Sequence, residues 1–191
     1  MPHYDLQLSA STLGLLASLS GGIRAVGVLG YTTRNGGCAS CFVQTTEGEV
    51  VQLYLEDEFL ERRFEVFPMV ALSTPVPDVL TWTPLDFPGP IKVYLLQTEE
   101  WLDVGAPCDG AVGEGPILQC QGVPGSAPAE AKASVRYFGG VEIVGPDGRR
   151  LTVASLIAPC VMHVSELAPS DQYEDKNYSR VPLQSANGAA E

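Results

Sequence analysis

Two short spacings in this chain have the residue types for metal or redox chemistry: Cys38-Ala39-Ser40-Cys41 near the front and Cys160-Val161-Met162-His163 near the back. Three thiolates and one imidazole would close a tetrahedral zinc site, so Cys38, Cys41, Cys160 and His163 form the candidate metal set, with zinc as the alternative to no cofactor at all. The plain alternative is a set of small buried thiols and an ordinary histidine. Geometry bears on the choice, because Val161-Met162 reads as strand, and positions three apart on a strand face opposite sides of the sheet. Redox chemistry at Cys38 and Cys41 would need a helix N-terminus to depress a thiol pKa, and the residues that follow, Phe42-Val43-Gln44, read as strand.

Carboxylates supply the second chemical reading. Glu56 to Glu61 contains three glutamates and Asp57, and Glu99 to Asp103 brackets Trp101, so a hydrolase with an acid–base pair beside an aromatic platform is one alternative function. With only His3 and His163 available, no nucleophile–base set stands out and no residue is assigned as catalytic. Phosphate-loop, nucleophile-elbow, His-Glu-x-x-His and dinucleotide fingerprints are not found in the sequence.

The elements that must position these residues are mainly β. Gly36 to Leu55 reads as a hairpin turning at Thr46-Glu47-Gly48-Glu49, and Val141 to Ile157 as another turning at Gly145-Pro146-Asp147-Gly148. Each is preceded by a Gly-Gly pair and turns at a glycine, a layout expected either of a duplicated unit or of two hairpins that merely look alike. Phe42, Val51, Leu53 and Leu55 are the core candidates of the first hairpin. Ser9 to Leu19 reads as a short capped helix, Ile23 to Thr33 and Ile91 to Gln97 as strands, and Phe64 to Leu72, with its Pro68, as an edge strand or a break. Glu56 to Arg63 reads as a helical turn or acidic loop, and Pro84 to Pro90 as loop.

The fold expected is therefore mainly β, with antiparallel hairpins forming one or two small sheets, a barrel or a sandwich, and one or two short helices. Its 191 residues suffice for one core, so residues 1–167 are read as a single β-rich domain, with lobes of about 1–83 and 91–167 as the alternative. Residues 168–191 read as a polar C-terminal tail, disordered unless packed, with Tyr173, Tyr178, Val181 and Leu183 as its anchors.

Charge narrows the partner class. There are 23 acidic residues against 11 basic ones, for a net charge of −12. Such a surface disfavours nucleic acid and anionic membrane, and it favours encounter with a basic protein. No secretory signal or membrane span is apparent, and the expected location is cytoplasmic. The leading expectation is a non-enzymatic soluble protein that offers an acidic surface to a basic protein partner, such as an inhibitor or immunity-type protein. The alternatives are the hydrolase, a zinc-stabilised structural module, and a subunit of a larger assembly.

Overall fold

The computed structural model describes residues 3–29, 37–38, 40–59, 66–74, 82–102, 133–155, 162–167 and 178–183. In chain order these form β1 (His3–Asp5), α1 (Ala10–Ser18), β2 (Gly22–Leu29), β3 (Gly37–Cys38), β4 (Ser40–Thr45), β5 (Val50–Phe59), β6 (Val66–Ser73), β7 (Trp82–Pro88), β8 (Lys92–Leu102), β9 (Ala133–Val144), β10 (Arg150–Ser155), β11 (Met162–Leu167) and β12 (Ser179–Pro182). Ser9 caps α1, its hydroxyl accepting from the Thr12 amide at 3.2 Å.

Among the described residues two antiparallel sheets result, without barrel closure. One has the order β6-β5-β4-β2-β7, and the other β12-β8-β9-β10-β11-β3. β1 adds to the second sheet, parallel to the first half of β9. The chain crosses between sheets after Pro88, inside the proline-rich stretch expected to join two lobes. Both inner faces meet in one apolar cluster that includes Cys41, Val43, Val51 and Leu53 from one side and Val141, Ile143, Leu151 and Val153 from the other. The two hairpins are thus partners across one core.

Strand order is the same in both sheets once equivalent strands are matched. β7-β2-β4-β5-β6 and β12-β8-β9-β10-β11 trace one Greek-key path, in which the fifth strand returns beside the first. Register repeats as well, with 43↔51, 42↔52 and 41↔53 in the first hairpin and 143↔151, 142↔152 and 141↔153 in the second. Both turns carry the same pair of backbone bonds. The Gly48 amide donates to the Thr45 carbonyl at 3.0 Å and the Gly148 amide to the Gly145 carbonyl at 3.0 Å. The glycines sit at φ 93° and 83°, the left-handed position of a three-residue loop with a bulge. The shared layout read in the sequence is a structural repeat.

Several local readings are corrected. Glu56 to Phe59 continue β5 as strand, because pairing with β6 from Glu56↔Met69 to Phe59↔Val66 outweighs local helix preference. Trp82–Pro88 is a strand despite Pro84 and Pro88, since among the described strands β7 lies at a sheet edge and pairs only with β2. Strand structure also runs on through Glu99, Glu100 and Trp101. Phe42 is buried at 3%, yet it lies on the outer face of its sheet, opposite Cys41 and Val43.

One arginine ties the sheets together at the second turn. Arg149 donates Nε to Asp147 at 2.6 Å, Nη1 to the Leu85 carbonyl at 3.2 Å and Nη2 to the Asp86 carbonyl at 3.1 Å, and its guanidinium lies 4.9 Å over the Phe87 ring. The hydrogen bond from Arg149 holds the Asp147 carboxyl below the usual carboxylate range. A depressed carboxyl stabilises the fold above its unfolded pKa, and that contribution is lost as pH falls through the folded value. Asp147→Asn should therefore lower the melting temperature at about pH 7, with the gap to the wild type closing as pH falls below the usual carboxylate range. A gap independent of pH in parallel thermal melts would exclude the ion pair as its source. Arg149→Lys should also melt lower, because a compact ammonium cannot span the acceptors reached by Nε, Nη1 and Nη2 or lie flat over the Phe87 ring.

Candidate functional site

Alternation along β9 points Val141 and Ile143 into the core and Glu142 out, and the outward row is what the repeat does not explain. Across four strands it reads Ser165, Thr152, Glu142, Tyr94 and then Pro182 of β12. The equivalent row of the other sheet reads Ser73, Gln52, Phe42, Gly27 and Trp82. Gln52 there simply bridges Ser40 at 2.9 Å and Ser73 at 3.3 Å. A glutamate thus occupies the position that the sister unit gives to phenylalanine.

Glu142 is 1% exposed. Its charge is met by Arg150 from β10 at 3.6 Å and by Arg180 from β12 at 2.5 Å. The Arg180 contact is close but lacks hydrogen-bond alignment, so Glu142 Oε1 has no hydrogen-bond donor among the described residues, and Arg150 Nη2 and Thr152 Oγ1 beside it also have no partner there. Arg180 stacks 4.2 Å over the Tyr94 ring, which fixes its fork above the carboxylate.

β12 and the residues flanking it bring further anchors. The Tyr178 hydroxyl lies 2.6 Å from Ser155 Oγ and donates to the Ser155 carbonyl at 3.2 Å. It fits because residue 139 is glycine: a Cβ there would stand 2.7 Å from that hydroxyl. Ser179 Oγ donates to the Gln97 carbonyl, and Leu183 is buried. Of the tail anchors expected from sequence, Tyr178, Val181 and Leu183 pack on the chain's own sheet, while Tyr173 lies outside the described residues.

A second polar cluster occupies the same face where β1 joins β9. His3 Nδ1 is 2.7 Å from Ser134 Oγ, and His3 Nε2 is 3.2 Å from Asp5 Oδ1. Glu99 lies 3.5 Å from the same ring, and Arg136 bridges Asp5 and Glu99 at 3.7 and 3.9 Å. The order serine–histidine–aspartate resembles a nucleophile relay, but Ser134 is 1% exposed and its hydroxyl is closed to a substrate. The arrangement works as a fastening for a three-residue strand. Nothing local in the sequence signals it, since His3 and Ser134 lie 131 positions apart.

The sequence candidates are placed as follows. β3 pairs with β11, setting Cys38 opposite Met162 and Gly37 opposite His163, so the two cysteine-bearing stretches are sheet neighbours. Cys41 is buried in the core between the sheets, with Met162 in the same cluster. His163 follows Met162 and faces the other way, with its ring 3.0 Å from Ser165 Oγ. Cys160 and the side chain of Cys38 lie outside the described residues. Among the described residues no three His, Cys, Asp or Glu groups converge as a metal site.

Of the acidic clusters, Glu56 is exposed on β5 in one sheet, where Tyr54 donates to it at 3.4 Å. Burial and then Glu56 raise the Tyr54 phenol above its usual value. Glu99 and Glu100 sit in the other sheet and face opposite sides, the second accepting a bond from the Tyr137 hydroxyl. Trp101 is 9% exposed and offers no open stacking platform. Glu61 and Asp103 lie outside the described residues.

No described helix is long and apolar enough to cross a membrane. Compared with known proteins, the chain matches no protein-family model, no curated protein and no solved structure.

Proposed function

We propose that this is a binding protein whose acidic surface engages a basic protein partner. One observation carries the reading: four of the six described cations are spent within the chain. Of the described Arg24, Lys92, Arg136, Arg149, Arg150 and Arg180, the last four each contact a carboxylate of the same chain. Glu47, Glu49 and Glu56 face solvent with no described cation in ion-pair range. Comparison of the turns makes the same point, because Glu49 stands where the sister turn has Arg149. With a net charge of −12, the field outside the molecule is negative, and opposite potentials speed encounter and select partners.

The test is affinity capture from native cell extract at about 50 mM salt, where surface charge is least screened. A single basic protein should be retained, released as salt rises, and retained less by a Glu47→Lys, Glu49→Lys variant. Failure to retain any basic protein at low salt, or retention indifferent to charge reversal, would overturn the reading.

A further inference from the structure

We propose that the edge of β8, with the buried carboxylate of Glu142, is a peptide groove for an arginine-bearing extended segment of the basic partner, and that β12 is its intramolecular occupant. This rests on the basic-partner reading and names where that partner would insert. The groove has the parts of strand-addition recognition. β8 supplies the backbone ladder, from Ser179↔Gln97 to Pro182↔Tyr94. Glu142 and the Tyr94 ring take a guanidinium from two directions. The notch at Gly139 takes a tyrosine whose hydroxyl reaches Ser155, and an apolar residue is buried three positions beyond the arginine, as Leu183 is. The pattern recognised is Tyr-x-Arg-x-x-Leu.

Three features make β12 an occupant that can leave. It is four residues long, whereas the equivalent strand of the sister unit, β7, has seven. Ser179, Arg180 and Pro182 are exposed, Arg180 lies over the buried Leu96 and Glu142, and Val181 alone of the four residues turns to the apolar cluster. The contact of its Arg180 with Glu142 is ionic, the kind an arginine from another chain reproduces, while Val181 and the adjoining Leu183 reach the apolar cluster. A docked internal strand lowers the apparent affinity for a competitor by the fraction of time the groove is open.

The experiment uses the full chain and a fluorescent hexapeptide, Tyr-Ser-Arg-Val-Pro-Leu, followed by anisotropy. Arg180→Glu in the chain should release β12, and that variant should bind the peptide at least about tenfold more tightly than the wild type does. A peptide with glutamate in place of its arginine should not bind either chain. Hydrogen exchange at the β8 amides should slow when the peptide is added. If the Arg180→Glu chain keeps its native circular dichroism and binds the peptide no better than the wild type, the groove is overturned. Equal binding of both peptides overturns it too. Peptide failure with salt-sensitive capture intact removes the groove alone. Peptide binding without any captured basic protein removes the surface reading instead.

Discussion

Glu142→Ala should destabilise the fold by about 3–5 kcal/mol, the cost of breaking a buried ion pair from one side. The mutation leaves the guanidinium of Arg150, whose side chain is 14% exposed, without its counter-charge. Arg180, 46% exposed, keeps its charge in water and adds little to the penalty. In a chain of this size such a loss corresponds to roughly 10 °C in melting temperature. The repeat supplies the control. Phe42 and Val50 occupy the equivalent positions in the other sheet, so Glu142→Phe combined with Arg150→Val installs the two side chains that the same topology already carries there. Replacing a buried ion cluster with apolar side chains is often neutral, and the double variant should recover most of the loss. Denaturant melts of the three proteins check this. A Glu142→Ala chain within about 1 kcal/mol of wild type would show that the cluster is not a stability element.

The hairpins were legible because their signals are local. Thr46-Glu47-Gly48-Glu49 and Pro146-Asp147-Gly148 specify turns that need no other part of the chain, and the α1 cap at Ser9 is equally local. The mainly β character and the core residues Val51 and Leu53 followed from the same alternation. Strand identity failed where tertiary pairing overrides propensity: Glu56 to Phe59 carry helix formers but face β6 across a ladder. It also failed at Pro84 and Pro88, which are tolerated because β7 has a single neighbour among the described strands. Glu142 could not have been singled out, since an acidic residue between Val141 and Ile143 reads as the solvent side of a strand. Its burial is completed by Arg150 and Arg180, and Arg180 lies in a stretch that reads as a polar tail. The fastening of β1 by His3 and Ser134 is invisible for the same reason: sheet neighbours far apart in sequence leave no local pattern.

Gly22→Ala should destabilise the fold by about 4 kcal/mol, although it alters no polar group, from backbone strain and overpacking together. Gly22 opens β2 at φ 118° and ψ 161°, a region that side-chain-bearing residues scarcely enter. Space is also lacking, since a Cβ there would lie 2.7 Å from the Gly89 nitrogen and 2.9 Å from the Phe87 carbonyl oxygen. Both contacts are backbone, so no side chain can rotate away. The position is where three parts of the repeat converge, because the Gly22 carbonyl accepts the Thr46 amide of the first turn at 3.1 Å while Gly22 itself pairs with Pro88 at the end of β7. Displacing it pushes β7 away from β2 next to Phe87, which is 0% exposed in the common core. Gly14→Ala is the matched comparison: nothing lies within 4 Å of a Cβ at that helical position, and alanine should stabilise α1 by up to about 1 kcal/mol. Opposite shifts of the two glycine variants in urea melts are the expected result. Equal tolerance of both would mean that the close approach of Gly22 to Gly89 relaxes without cost.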